Sequence, residues 1–246
     1  MRSCIAVVYL TVLMTFSVDA GVLVQGSSGD PDALYAGREQ PARARAAAEI
    51  WRARLNANAR DFEAAWKLSR AMYWLGGQGP DAERRRDLEA GVQDGRAAIG
   101  IDETRPDGHF WMAANMGALA QSFGLRQGLR YRGAVKSALE RVLAIDPSYQ
   151  AGSADRALGR WYFKVPGLFG GSNAKAEMHL KRSLTYHPTS TASLVFLAEV
   201  YLDTGRRAQA RTLLQQVIDG PIDPAWAPED GQFKAIARTL LEGMGR

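Results

Sequence analysis

Three times in the second half of this chain a helix-forming run ends on a proline: Ala144-Ile145-Asp146-Pro147, Thr185-Tyr186-His187-Pro188 and Ile218-Asp219-Gly220-Pro221. Proline lacks an N–H for the ladder and pushes the preceding residue out of the α region, so each phrase stops a helix. The last two prolines lie 33 residues apart, which is room for one helical hairpin. The first two lie 41 apart, and the excess falls in Pro166-Gly167-Leu168-Phe169-Gly170-Gly171, read as a loop inserted between the helices of one repeat.

Between the phrases the residues are those of packed helix pairs. Leu197, Ala198, Tyr201, Leu202 and Gly205 occupy one helix and its turn, and Ala208, Ala210, Leu213, Leu214, Val217 and Ile218 the next. Small residues where two helices cross and large ones flanking them are what ridges-into-grooves packing requires. Ala114 to Gly117 followed by Ala134, Ala138, Leu139 and Val142 repeats the pattern less cleanly, and Ile99, Ile101 and Asp102 close a degenerate unit before it. From residue 41 on, Ala-, Leu- and Arg-rich runs are broken by Gly, Pro, Asp and Asn at one-helix intervals, with no sustained alternation of a strand. Helices are predicted over 42–57, 61–76, 80–99, 107–123, 129–145, 149–164, 173–186, 190–204, 206–219 and 229–243. A period near 34 is that of the tetratricopeptide repeat. The expected fold is all-α: a right-handed solenoid of antiparallel helix pairs over residues 41–246, closed by a capping helix at 229–243.

The first twenty residues read as a signal peptide. Arg2 supplies a positive end, Ile5 to Phe16 an apolar stretch, and Val18-Asp19-Ala20 a small-x-small cleavage site. The stretch falls short of the roughly 20 residues that span a bilayer. Cys4 is the sole cysteine and precedes the cleavage site, so neither a disulfide, a lipid nor another stable membrane anchor is expected in the mature chain. Residues 21–40, with Gly26-Ser27-Ser28-Gly29 and Asp30-Pro31, read as a flexible linker. The expected location is periplasmic or secreted, in a bacterium. The net charge of +5 is carried by arginines interleaved with alanines and acids along helices. That is the pattern of solvated faces, and no nucleic-acid partner is expected.

Catalytic chemistry is sparse. His109, His179 and His187 each lack a second ligand at metal spacing, and HExxH, CxxC and GxSxG are absent. No metal, no cofactor and no enzymatic activity is expected. Gly167 to Ser172 invites a phosphate-loop reading, but Lys175 comes too late for that motif. The glycines are read as allowing positive φ, and Ser172 as the cap of the next helix. His187 is read as a helix-end residue facing the dipole. Trp66, Tyr73, Trp74, Phe110, Trp111, Trp161, Tyr162 and Phe163 gather in the first helices of successive pairs, either as packing between repeats or as an aromatic cleft on the concave side. Adjacent helical residues point about 100° apart, so Phe110-Trp111 and Trp161-Tyr162-Phe163 cannot all face one core. Phe110, Trp111, Arg160, Trp161 and Phe163 are the candidate binding residues. Arg160 either buttresses the inserted loop or meets a carboxylate. Arg126, Arg130, Arg132 and Lys136 form either an anion patch or a solvated face.

Residues 159–243, with the interrupted repeat PG-x-x-GGS ahead of a helix, resemble the TatT family of tetratricopeptide T-components of tripartite ATP-independent periplasmic (TRAP) transporters. Gly108-His109-Phe110-Trp111 and Leu158-Gly159-Arg160-Trp161 resemble, more distantly, the regulator of microtubule dynamics family. The first resemblance implies an interaction scaffold, oligomeric in the manner of a trimer with a central pore, whose protein partner is a periplasmic solute-binding protein. The alternative is a carrier holding an apolar or carboxylate small molecule in the aromatic cleft.

Overall fold

The computed structural model describes residues 29–245. The expected signal segment and residues 21–28 of the expected linker lie outside them. Eleven α-helices and no strands are found among the described residues: α1 (Pro31–Ala36), α2 (Pro41–Ala57), α3 (Phe62–Gln78), α4 (Asp81–Ile101), α5 (Pro106–Ser122), α6 (Gly124–Ile145), α7 (Tyr149–Lys164), α8 (Asn173–Tyr186), α9 (Thr191–Asp203), α10 (Arg207–Asp219) and α11 (Ala227–Met244). The linker reading does not hold at 31–36. Asp30 accepts from the Asp32 amide at 3.0 Å, Pro31 takes the first helical turn and Tyr35 buries its ring, so residues read as turn chemistry begin a short helix instead.

The helices pack as consecutive pairs: α3 with α4, α5 with α6, α7 with α8, and α9 with α10, with α11 capping the last. The first helices also meet one another, α3 with α5, α5 with α7, α7 with α9 and α9 with α11, and so form an inner layer. The pairs end alike. Asn58, Asp102, Asp146 and His187 terminate α2, α4, α6 and α8 with φ/ψ of −142/98, −152/99, −150/99 and −144/86. At the first three, the side chain accepts from the amide two residues on, at 3.1, 3.0 and 2.8 Å. This Asx turn offers the chain an exit from the helix. Ser172 caps α8 as expected, accepting from the Lys175 amide at 3.3 Å, and Gly170 takes the positive φ, at 102°.

One apolar core runs from Leu88 to Met244, and a second joins α1, α2 and α3 around Trp51. A buried polar knot ties α3, α4 and α5. The Asn115 amide donates to the carbonyls of Ser69 and Trp111 at 3.0 and 2.8 Å, while the Ser69 hydroxyl donates to the Gly91 carbonyl at 2.7 Å. Gly91 makes the knot fit, because a Cβ there would lie 2.6 Å from Asn115 Nδ2.

Not every polar atom is satisfied among the described residues: Asn115 Oδ1, in the knot itself, has no partner, and neither has an oxygen of the half-buried Asp94. Asp94 Oδ2 on α4 has no hydrogen-bond partner, and burial pushes the carboxyl up from 3.8 to about 6, against a weaker pull from Arg52. The folded form thus holds its proton longer than the unfolded chain does. Stability is full below pH ~4 and falls as pH rises to about 6. Asp94→Asn is expected to stabilise the protein by on the order of 2–3 kcal/mol at pH 7 and by almost nothing at pH 4. Urea unfolding at the two pH values checks this.

Candidate functional site

The inner helices line a half-open cavity of about 910 Å³. It is lined by the first helices of successive pairs, with α6 on one side and α11 closing the far end. On α5 the wall is aromatic at one end, Phe110 and Trp111, and small along its length, at Ala113, Ala114, Gly117 and Ala118. Leu129, Val135 and Leu139 of α6 and Phe196 and Phe233 of α9 and α11 continue the apolar surface. The rings brace each other. Phe110 meets Trp111 edge-on at 5.1 Å, Tyr73 leans on Trp111 at 5.8 Å, and Phe196 meets Phe233 at 5.4 Å.

The polar groups come chiefly from α7, whose Ser153, Arg156, Ala157, Arg160, Trp161 and Lys164 share the inward face at helical spacing. The Arg160 guanidinium is already engaged. It pairs with Glu199, which also has Lys164 Nζ at 3.6 Å, and lies over the Phe196 ring at 4.4 Å from the centroid. Arg156, one turn earlier, makes no hydrogen bond and no ion pair among the described residues. The Trp226 ring centroid lies 5.9 Å from it, and Tyr73 and Glu229 favour its charge. Burial lowers the pKa of both guanidiniums, and Glu199 pulls that of Arg160 back up. Tyr73 is 40% exposed, but that surface faces the cavity and protein surrounds the ring, so burial raises its phenol while Arg156 and Arg160 oppose the rise. A cation in such a place is not neutralised, because guanidinium remains charged, and the Glu229 carboxylate of α11, on the same cavity wall, favours its charge.

At the start of α7 the backbone is strained. Gln150 and Ala151 take φ of 44° and 55°, a left-handed run that favours glycine, and Gly152 follows at 76°. Gln150 lines the cavity and its Oε1 is buried without a partner. Trp111 Nε1 is likewise buried without one.

The two ends of the chain meet across the cavity. Arg38, in the turn between α1 and α2, lies between the rings of Tyr35 and Trp74, at 5.1 and 5.3 Å. Its Nε donates to Glu229 Oε1 of α11 at 3.0 Å and its Nη2 to Glu229 Oε2, with a further bond from Nη2 to the Ala225 carbonyl at 3.4 Å. Trp74 Nε1 donates to the Arg38 carbonyl at 2.7 Å. The solenoid is therefore joined end to end, and Tyr35 and Glu229 are both cavity wall.

Of the five candidate binding residues, Phe110, Trp111, Arg160 and Trp161 line this cavity. Phe163 does not. It packs against the core with Lys164 Nζ over its ring at 4.7 Å. Trp161 Nε1 donates to the Arg132 carbonyl at 2.9 Å, and Arg132 lies over Phe169 of the inserted loop. That stacking on the loop is made by Arg132, not by Arg160. Lys136 pairs with Glu140 on its own helix. His179 is bonded to Asp155 at 2.7 Å and stacks on Tyr162, and His109 meets the Glu103 carbonyl, so neither faces the cavity. Sequence reading missed Arg156, Phe196, Trp226, Glu229 and Phe233. The spacing of Arg156 four residues before Arg160 is the signal that could have found the first of them.

Residues 30–245 match the family model for regulator of microtubule dynamics protein 1-3. The chain belongs to this family. The match falls on the family that Gly108–Trp111 and Leu158–Trp161 resemble. Among solved structures the chain is similar to TTC0263, a thermophilic TPR protein in Thermus thermophilus, with a TM-score of 0.64 and 23% identity over 86% of this chain and 97% of that one. MamA is also similar, with a TM-score of 0.49 and 15% identity over 80% of this chain and 95% of that one. No curated protein matches the chain. The likeness to TTC0263 shows the tetratricopeptide-type fold expected from the repeats.

Proposed function

We propose that this member of the family is an exported binding module that holds an apolar molecule with an anionic end in its inner cavity, and that it catalyses no reaction. The observation that carries the reading is Arg156. An arginine that makes no hydrogen bond or ion pair among the described residues, desolvated in an aromatic and aliphatic cavity of about 910 Å³, is a recognition group for an anion that arrives with an apolar body. The cavity volume lies within the range of small-molecule sites, and the rigid, mutually braced rings are preorganised. Export follows from the signal-like residues 1–20.

Dodecanoate titrated by calorimetry is expected to bind saturably, and the uncharged dodecanol more weakly. Arg156→Gln is expected to cost dodecanoate about ten-fold or more in affinity, the value of a charge-assisted hydrogen bond, and to leave dodecanol unchanged. Equal losses for both ligands would assign Arg156 to packing and remove the anionic end from the reading.

A second reading is that the same module docks a protein. It is favoured by the tetratricopeptide-type solenoid and by Glu229 and Asp230, which face the α7 cations from α11 and give the cavity both charges, as a peptide has. The solute-binding protein of a TRAP-type transporter is the partner that the T-component resemblance points to, and pull-down from a periplasmic extract tests it.

A further inference from the structure

The wall of the cavity is not equally strong all round. From Leu88 to Met244 it is backed by one continuous apolar core, and consecutive helices are also tied by the chain. The first repeat has its own core, from Tyr35 to Leu75, which shares no member with the other. Among the described residues, every hydrogen bond linking residues 29–80 to residues beyond 185 is made by one side chain, Arg38. Parting an apolar core exposes surface that water does not compensate, whereas a carboxylate and a guanidinium that separate are each rehydrated.

We propose that the Arg38–Glu229 contact gates the half-open cavity: the ring parts there and widens the opening through which an occupant enters and leaves, while the repeats keep their packing. This rests on the cavity being a binding site, as argued above. The chemistry suits a gate. The pair is bidentate, so it re-forms in one geometry. Arg38 stays held between Tyr35 and Trp74, and its carbonyl stays tied to Trp74, when Glu229 departs. Closure is therefore a single docking step onto a fixed cation. Glu229 sits in the first turn of α11, where the helix N-terminus favours its charge in the open state as well.

Glu229→Gln keeps size and removes the charge. With 1-anilinonaphthalene-8-sulfonate as the probe, stopped-flow association and dissociation rates are both expected to rise about ten-fold in this variant, because a gate sets passage in both directions, whereas loss of the Glu229 charge from the cavity wall alone would speed binding and slow release of this anion. The charge swap Arg38→Glu/Glu229→Arg is expected to restore slow exchange. The gate is also read without any ligand. With Cys4→Ser and spin labels at Glu39→Cys and Gln232→Cys, the label distances are expected to gain a longer component in Glu229→Gln, while circular dichroism shows the helices unchanged. Unaltered probe rates together with unaltered distances would overturn the gate. A wild-type protein that binds no probe saturably would instead count against the cavity as a binding site, and the distance measurement would still decide the gate.

Discussion

Trp51→Ala is expected to lower the stability of the protein by about 3–5 kcal/mol, the range for deleting a buried tryptophan. Trp51 is fully buried at the centre of the N-terminal core, with Tyr35 at 5.8 Å and the Arg70 guanidinium 5.6 Å from its ring. Several of its neighbours in that core, Ala44, Ala47, Ala48, Ala64 and Ala71, are alanines. Each carries only a methyl group, which cannot swing into the void, so the cavity left behind collapses little. The loss reaches the cavity, since Tyr35 carries Arg38 and Arg38 closes the ring. Trp51 Nε1 has no partner, so Trp51→Phe removes an unpaired buried N–H and is expected to recover most of the loss. Chemical denaturation of both variants checks the pair. A loss below about 1 kcal/mol for Trp51→Ala would mean that this core is not packed as described.

Gly171→Ala is expected to cost about 3 kcal/mol or more, at the upper end for overpacking, and to disturb the cavity beside it. A Cβ on Gly171 would meet the Val165 carbonyl at once and would lie 3.1 Å from the Tyr162 carbonyl oxygen. Both are backbone, so neither can rotate away. The inserted loop would have to part from the end of α7, giving up the bonds from the Ser172 amide to Tyr162 and from the Gly171 amide to Pro166, at 2.9 and 3.2 Å. Val165 and Pro166 line the cavity and would move with it. Leu168→Ala, at the exposed tip of the same loop, is expected to change nothing in stability. Thermal unfolding separates the two, and equal small effects would contradict the close approach at Gly171.

Most helix boundaries were legible because prolines, caps and Asx residues mark them locally. The repeat length was legible only near the C-terminus. Asn58, Asp102 and Asp146 end successive pairs at 44-residue intervals, set by the long helices α4 and α6, but only Asp146 is followed directly by the proline that advertises the others. Local signals do not report how long a helix will run when packing sustains it. The candidate site was legible in its aromatic half, because the aromatics gather in the first helices of successive pairs, but neighbouring aromatics do share a core: Phe110 and Trp111 both belong to one core cluster and line the cavity from it. Its charged half was not. Arg160 stood out for its place beside Trp161, yet Glu199, far along the chain, takes its charge, and Arg156 was one arginine among many. The ring closure lay beyond sequence reasoning altogether, because Arg38 falls in a stretch with loop composition and its partner is 191 residues away.

The most direct test is native mass spectrometry of the chain as it is purified from the cells that make it. The account predicts a bound molecule that is lost on denaturation, that carries an acidic group on an apolar body, and whose occupancy falls in Arg156→Gln. A bare chain that also fails to take up dodecanoate would contradict it.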